Sequence, residues 1–349
     1  MEITKETFGQ LNDQTIYAYT MKNKNNIEVV CLNYGCVITK LMTPDADGNL
    51  ENIVLGFDCI EDYIDFSPYF GAVIGRVAGR IANAEFELDG KTYKLAQNDQ
   101  RNHLHGGIRG FSHVVWDTKV IENENDARSI EFTYASPDGE EGYPGNVTVK
   151  VIYTLNDQNE LLISYEGTTE QKTLLNLTNH TYFNLGGNLK RDILDHTLNM
   201  KSDRFVELRE DLIPTGNFLD VENTVFDFRK GRKIKDGVNS DHIQNSIAGG
   251  GYDHPFLLNT NNDQEVILYD EESGRCITIE TDQPDVVLYT GSQLEDDYSM
   301  RGVQSRKYLG LCLETQGLPD AIHHPRFPSG ILDKGEVYRS ITKYTFGVK

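Results

Sequence analysis

The sequence is poor in cysteine, in positive charge and in long apolar runs. Its five cysteines are odd in number and form no CxxC pair, which argues against a disulfide framework and against a cysteine-based zinc site. No stretch reaches the roughly 18 consecutive apolar residues that a membrane helix requires. The opening segment, MEITKETFGQ, holds no signal-peptide core, so we expect a soluble, cytoplasmic protein.

Acidic side chains outnumber basic ones. Aspartate and glutamate number 54 against 33 lysines and arginines, and the formal net charge is -21. A surface of this charge repels the phosphates of nucleic acids and of acidic lipids. We therefore expect neither nucleic acid nor membrane as a partner, which leaves neutral small molecules or other proteins.

Helical periodicity is scarce, whereas short strand signals are many. Segments such as IEVVCLNYG, VITKLMTP, VTVKVIYTL and CITIETD alternate or run apolar, and turns rich in Asn, Asp and Gly separate them. Helical turns are expected only near residues 60–66 and 296–301. No repeat or proline-rich linker divides the 349 residues. The sequence thus predicts an all-β fold, a large antiparallel β-sandwich with few short helices, as one domain over residues 1–349.

The stretch NLTNHTYFNLGG, residues 176–187, has the period of a strand. Its odd positions include the apolar Leu177, Phe183 and Leu185, whereas its even positions are polar and have His180 at their centre. We predict one strand with the imidazole of His180 on a polar face.

A second predicted strand, in LGLCLETQGLPDA at residues 309–321, contains a carboxylate within an otherwise mostly apolar segment. Leucines alternate on one face, and Glu314 lies on the other with Cys312 and Gln316. An unpaired buried carboxylate is costly, so Glu314 either belongs to a hydrogen-bonded structural network or lines a polar cavity. The motif alone leaves both interpretations open.

Two shorter motifs are also ambiguous. In GRVAGR, Arg76 and Arg80 must each reach water or meet a carboxylate or a ligand oxygen, and residue type alone favours the surface. In GYDHPF, Asp253 either bonds its own backbone in a turn or serves a ligand, and the two interpretations are even.

The motif NHLHGG places His103 and His105 two residues apart, which on a strand would project both rings to one face. That spacing suits a metal centre, with His180 and a carboxylate as further ligands. No glutamate follows within the next few residues, however, and His103 alone is expected to be exposed. The sequence therefore favours the absence of a metal.

The combination of motifs points to one site. His180 and Glu314 each interrupt a strand whose other face is apolar, and both polar faces could line one concave surface. Their ordinary pKa values, ~6.5 and ~4.3, suit an acid and a base near neutrality. Arg80, His105 and Asp253 would then hydrogen-bond the hydroxyls of a hydroxyl-rich ligand.

At this point the chain resembles a known family. In order along the sequence, GAVIGRVAGRIANAEFELDGKTYKLAQN, NHLHGGIRGF, DGEEGYPG, NLTNHTYFNL, GYDHPF and CLETQGLPDAIHHPRFP resemble the aldose 1-epimerases, the galactose mutarotase family. The resemblance spans residues 33–346. It implies a β-sandwich of many strands, no metal or organic cofactor, and interconversion of the α and β anomers of galactose or related aldoses.

The resemblance also assigns roles to residues of this chain. It makes His180 the general acid and Glu314 the general base, and it makes Arg80, His105 and Asp253 sugar-binding groups. Tyr182, on the polar face of His180, is expected to line the pocket.

Two positions depart from the family pattern. Gly79 stands where many members have Asn, and Val287 where many have Gln, so the preferred aldose stays open. The expected partner is a monosaccharide, and the expected assembly is a monomer or a weak homodimer.

Three rival functions remain at this level. A glycoside hydrolase could use Asp253 and Glu314 as its two carboxylates. A metal-dependent sugar isomerase could use the histidines. A sugar-binding module would use the same cavity without catalysing a reaction.

Overall fold

Strands dominate the structure, a computed structural model that describes residues 2–122 and 127–349. The first strands along the chain are β1 (Glu2–Leu11), β2 (Gln14–Lys22), β3 (Glu28–Leu32), β4 (Ile38–Pro44), β5 (Leu50–Asn52), β6 (Val73–Ile74), β7 (Arg80–Ile81), β8 (Glu85–Leu88), β9 (Lys91–Lys94), β10 (His103–Leu104), β11 (Asp117–Glu122), β12 (Arg128–Ser136), β13 (Val147–Leu155), β14 (Glu160–Thr169) and β15 (Thr173–Leu174). The later strands are β16 (Thr178–Asn179), β17 (Tyr182–Phe183), β18 (Thr197–Met200), β19 (Arg204–Leu208), β20 (Pro214–Asp220), β21 (Arg232–Lys233), β22 (Asp253–Leu257), β23 (Val266–Tyr269), β24 (Arg275–Thr281), β25 (Asp285–Tyr289), β26 (Ser299–Met300), β27 (Val303–Gln304), β28 (Leu311–Gln316), β29 (Ile331–Leu332) and β30 (Val337–Val348).

Helices are short. They are α1 (Ile60–Phe66), α2 (Lys235–Val238) and α3 (Ile243–Ile247), together with 3₁₀ turns at Ala82–Ala84, Phe111–His113, Glu140–Gly142 and Ala321–His323. Within the described ranges, no helix combines the length and the apolar character that a membrane crossing requires.

Three antiparallel sheets make up most of the fold. One has nine strands in the order β11-β12-β13-β14-β30-β24-β23-β18-β21, the second has six in the order β17-β28-β25-β22-β19-β20, and the third has five in the order β1-β2-β3-β4-β5. The largest hydrophobic core takes side chains from all three sheets, among them Phe132, Val286, Leu311 and Met21. The predicted all-β sandwich is therefore confirmed.

Alternation along the six-stranded sheet places the functional face opposite this core. In β28, Leu311 and Leu313 point into the core, so Cys312, Glu314 and Gln316 point to the other side of the sheet. Antiparallel pairing of β28 with β25 then puts Val287 directly opposite Glu314.

The predicted helical turn at 296–301 is wrong. Those residues form bends and β26 (Ser299–Met300), whereas the turn predicted at 60–66 is α1. The helices α2 and α3 were not predicted, since four or five residues are too few for a helical period to show.

The prediction of one continuous strand over residues 176–187 is also wrong. The chain makes β16 and β17 in two different sheets, and it breaks between them at His180. The backbone of His180 leaves the ladder because its N–H donates to the Ala72 carbonyl at 2.8 Å while its carbonyl accepts from the Gly71 N–H at 3.0 Å. The break allows the His180 side chain to enter a cavity.

One buried carboxyl of the six-stranded sheet has no partner. Asp285, opposite Gln316 in the pairing of β25 with β28, is fully buried, and neither carboxyl oxygen has a hydrogen-bond partner among the residues that the structure describes. Burial, and after it the charge of Glu314, raises the pKa of Asp285 well above its ordinary value. Folding therefore favours the protonated carboxyl.

We expect Asp285→Asn to be more stable than the unmodified protein near neutral pH, and the difference to disappear in acid. Because the folded pKa is raised, the folded state binds the extra proton, and stability falls by up to ~1.4 kcal/mol per pH unit as pH rises above ~4. The asparagine cannot ionise and so lacks this dependence. Denaturant unfolding of both proteins at several pH values between about 4 and about 8 measures the difference, and parallel stability curves would contradict it.

Candidate active site

Three polar side chains tie the segment around His180 to the strand that carries Glu314. Asn176 Nδ2 donates to the Gly317 carbonyl at 2.9 Å, Thr178 Oγ1 to that of Thr315 at 3.0 Å, and Asn184 Nδ2 to that of Leu309 at 2.7 Å. All three side chains are buried. The polar face predicted from the sequence therefore serves mostly to bond the two segments together, and we call these three hydrogen bonds the seam. Only the middle part of the face, with His180 and Tyr182, lines the cavity.

The seam brings the imidazole and the carboxyl together. His180 Nε2 lies 3.5 Å from Glu314 Oε1, and both side chains keep about one-twentieth of their surface exposed, 5% and 4%. On its far side, His180 Nδ1 lies 3.4 Å from Cys312 Sγ. Nδ1 thus faces the sulfur and Nε2 faces the carboxyl, so Nε2 is the nitrogen placed to exchange a proton in the cavity.

Burial shifts the pKa values of the pair in opposite directions. It lowers the pKa of His180 to about 4. It raises the pKa of Glu314 well above its ordinary value, helped by the charge of Asp253 and opposed by Arg80. A lowered pKa makes the imidazolium a stronger acid, and a raised pKa makes the carboxylate a stronger base.

Arg80 lies among carboxylates at one side of the cavity. Its Nε donates to Asp99 Oδ2 at 2.7 Å, and its Nη1 lies 3.8 Å from Asp253 Oδ2. Burial raises the pKa of Asp253, while Arg80 opposes the rise. The guanidinium is thus held in place with donors still directed toward the cavity.

His105 stands at right angles to His180. Its ring centroid lies 5.1 Å from that of His180 at an interplanar angle of 88°. The Gly79 N–H donates to its Nδ1 at 3.2 Å, which leaves Nε2–H free for a ligand. Burial, and then the neighbouring His180, lowers the pKa of His105 well below its ordinary value, so the ring is neutral.

The cavity between these groups has a volume of about 210 Å³. One water occupies roughly 30 Å³ in the liquid, so the space suits a small molecule. Tyr182 also lines the cavity, and its ring centroid lies 5.0 Å from that of His180. Its hydroxyl donates to the Pro68 carbonyl, so the ring rather than the hydroxyl is available to a ligand. The six residues predicted to form a site all line this one cavity, namely Arg80, His105, His180, Tyr182, Asp253 and Glu314.

The two departures from the family pattern also lie here. Gly79 has φ +73°, and a Cβ at this position would lie 2.8 Å from the side chain of Pro319; both residues line the cavity. Val287 pairs with Pro255, and both side chains line an apolar part of the wall.

Two expectations about basic residues are wrong. Arg76 is buried rather than at the surface, because its guanidinium donates to Ser136 Oγ at 2.8 Å and to the carbonyls of Pro137 and Pro144. His103 is fully buried rather than exposed, with Nδ1 at 2.8 Å from the Ala96 carbonyl and Nε2 at 2.8 Å from the Tyr143 hydroxyl.

A metal ligand set can be drawn from the site, but not the one that NHLHGG suggested. His103 has both ring nitrogens occupied, and β10 ends before His105, so the two rings do not share a face. His105, His180 and Glu314 each offer one ligand atom, and these atoms lie within 4.8 Å of one another. These three residues could hold a metal ion.

Other residues of the site were not predicted, and only one of them had a signal in the sequence. Tyr69, Tyr289 and Gln316 line the cavity, and Asp99 holds Arg80. Tyr69 follows a proline in an irregular turn, and Asp99 lies in a turn-rich segment where an aspartate is ordinary. The pattern of Gln316, two residues beyond Glu314, was the only usable signal.

A β-sandwich with a buried acid and base in a small polar cavity defines an enzyme of the acid–base type. The family model described as aldose 1-epimerase matches residues 17–345. The galactose mutarotases of Bos taurus and Homo sapiens are each 40% identical to this chain, over 100% and 99% of it and 99% of their own length. The crystal structure of galactose 1-epimerase from Lactobacillus acidophilus superposes with a TM-score of 0.89, at 29% identity and with 99% of each chain covered.

The chain therefore belongs to the aldose 1-epimerase family, and it is an isomerase. The expected family and the expected class of enzyme are confirmed. These matches do not support a glycoside hydrolase or a non-catalytic sugar-binding module.

We expect His103→Leu to lower the free energy of unfolding by ~1–3 kcal/mol, because it leaves the buried Tyr143 hydroxyl and Ala96 carbonyl without partners. His103→Asn keeps one donor and one acceptor and should lose less. Denaturant unfolding measures both variants, and unchanged stability of His103→Leu would argue against the buried position.

Proposed function

We propose that this protein interconverts the α and β anomers of galactose and related aldoses, with His180 as general acid and Glu314 as general base. The observation that carries the proposal is the 3.5 Å approach of His180 Nε2 to Glu314 Oε1 at a cavity of about 210 Å³. The galactose mutarotases similar to this chain support the choice of galactose as substrate.

Anomer exchange requires the hemiacetal ring to open and close. Glu314 removes the proton of the C1 hydroxyl while the His180 imidazolium protonates the ring oxygen, and the C1–O bond to the ring breaks. The free aldehyde rotates about its C1–C2 bond. On closure, His180 takes back its proton from the former ring hydroxyl, and Glu314 returns one to the aldehyde oxygen, now on the other face.

Burial assists the opening step. The imidazolium and carboxylate that begin the step become a neutral imidazole and a neutral carboxylic acid, which are the forms that the buried site favours. Ring closure reverses both proton transfers and so restores the charged pair. The pair therefore needs no external acid, base or cofactor, and each group contributes a rate factor of ~10² to 10⁴.

Arg80, His105 and Asp253 hold the sugar while C1 turns. The donors of Arg80 and the carboxyl of Asp253 suit peripheral hydroxyls, and the free Nε2–H of neutral His105 suits the ring oxygen or a hydroxyl next to it. Tyr182 contributes its ring face, since its hydroxyl is already bonded to Pro68.

The proposal includes the setting of the enzyme. A monosaccharide is its ligand, one domain spans residues 1–349, and the chain acts in the cytoplasm as a monomer or a weak homodimer. The formal charge of -21 supports the expectation that it avoids nucleic acids and acidic membranes.

We expect Glu314→Gln and His180→Gln to lower kcat by ~10² to 10⁴ each, while galactose still binds, because each variant keeps the shape of the cavity and loses one proton-transfer group. The decay of optical rotation of fresh α-galactose, against a buffer blank, measures kcat, and calorimetry measures binding. Glu222→Gln, at an exposed position, is the matched control and should leave the rate unchanged. Substantial activity in either cavity variant would refute the assigned roles.

We expect kcat/KM to have a broad plateau with an acidic limb near pH 4. Below that pH both groups of the free enzyme are protonated and no base remains. Well above the ordinary pKa of a glutamate both are deprotonated and no acid remains. These limits belong to the coupled pair rather than to either residue. Polarimetry across this pH range tests the profile, and an acidic limb near ~6.5 would show instead that the imidazole is solvated.

Two further measurements separate the rival enzymes. A metal-dependent isomerase would lose activity after chelation, and a glycoside hydrolase would release nitrophenol from an aryl galactoside. We expect activity to persist after chelation, and we expect no nitrophenol, because the proposed proton transfers use only side chains.

A further inference from the structure

Tyr69 occupies a strained position at the edge of the cavity. It lies in the turn between α1 and β6, with φ +67°, where a bulky side chain is unfavourable. Non-glycine residues persist in this conformation where the surrounding structure holds them, and they concentrate at active sites. The contacts around Tyr69 should therefore explain why this backbone conformation is maintained.

The turn that carries Tyr69 is bonded directly to the backbone of His180. The Ala72 N–H donates to the Tyr69 carbonyl at 3.0 Å, and the Gly71 N–H donates to the His180 carbonyl at 3.0 Å. Tyr182 donates its hydroxyl to Pro68, just before Tyr69. These hydrogen bonds therefore hold the backbone of Tyr69 in a fixed position relative to the imidazole of His180.

The ring of Tyr69 contacts both imidazoles of the site. Its centroid lies 4.8 Å from that of His105, edge to face, and 5.7 Å from that of His180. The ring thus packs against both imidazoles and keeps water from the surface that it covers.

The hydroxyl of Tyr69 has no hydrogen-bond partner among the residues that the structure describes, and the side chain is half-buried and lines the cavity. Burial raises the pKa of Tyr69; the charge of Asp99 adds to the rise, and that of Arg80 opposes it. A polar atom without a partner, beside the arginine of a sugar site, is suited to a ligand hydroxyl.

We propose that Tyr69 is a substrate-binding residue: its hydroxyl hydrogen-bonds one sugar hydroxyl next to the position served by Arg80, and its ring shields His105 and His180 from water. This inference rests on the proposed function, since it names a further contact for the same substrate. The inference gives the two parts of the side chain separate effects: the hydroxyl affects KM, and the ring affects kcat.

The hydroxyl is tested with Tyr69→Phe on α-galactose and on its 2-, 3-, 4- and 6-deoxy analogues. We expect KM for galactose to rise by about 3- to 10-fold with kcat and thermal stability unchanged, because the lost hydroxyl has no protein partner. For the one analogue that lacks the matching sugar hydroxyl, the variant and the unmodified enzyme should have equal KM values. Tyr93→Phe is the matched control, since its hydroxyl also lacks a partner in the described chain and it lies outside the cavity.

The ring is tested with Tyr69→Leu. We expect kcat to fall by about tenfold or more, whereas Tyr69→Phe, which keeps the ring, retains kcat. Equal kcat in Tyr69→Leu and the unmodified enzyme would overturn the shielding role. An unchanged KM in Tyr69→Phe, or an equal rise with every analogue, would overturn the hydroxyl contact.

The unmodified enzyme separates this inference from the function on which it rests. If it fails to accelerate the rotation decay of α-galactose, the proposed function fails. If it accelerates the decay and the Tyr69 variants behave as the unmodified enzyme does, only the role of Tyr69 is lost.

Discussion

The site depends on the hydrogen bonds between the segment around His180 and the strand that carries Glu314. Asn176, Thr178 and Asn184 each place a buried side-chain donor on a backbone carbonyl within residues 309–317. Buried amides and hydroxyls are costly without partners, so each of these bonds fixes the register of one segment against the other. Because His180 lies inside this seam and Glu314 lies on the opposing strand, their 3.5 Å approach follows from the seam rather than from their own attraction.

Desolvation is the second constraint, and it has opposite effects on stability and on reactivity. The cavity removes water from two imidazoles, two carboxyls and a guanidinium, and this disfavours every isolated charge. The same removal makes the imidazolium a strong acid and the carboxylate a strong base, which is what ring opening requires. The bond from Arg80 to Asp99 offsets part of the cost, because it pairs the guanidinium with a carboxylate other than the proposed base.

The sequence predicted the fold class, the family and six of the residues that line the cavity, because period-two alternation and ordered motifs are local signals. It did not predict what depends on long-range contacts. Arg76 was assigned to the surface because no local feature shows that carbonyls from residues 136–144 surround it. The strand break at His180 was missed for the same reason, since its cause is the turn at 71–72, a hundred residues away along the chain.

The cavity is lined by both polar and apolar groups, and this mixture bears on the choice of substrate. Arg80, Asp253 and Tyr69 offer polar groups, whereas Val287, Pro255 and Pro319 offer apolar surface. An apolar wall discriminates weakly against a missing or an added hydroxyl, while a buried polar group without its partner discriminates strongly. The reaction itself involves only the C1 hydroxyl and the ring oxygen, which all aldopyranoses share. Choice among aldoses therefore falls to the few polar groups of the cavity, and Gly79 and Val287 add no polar side chain to them.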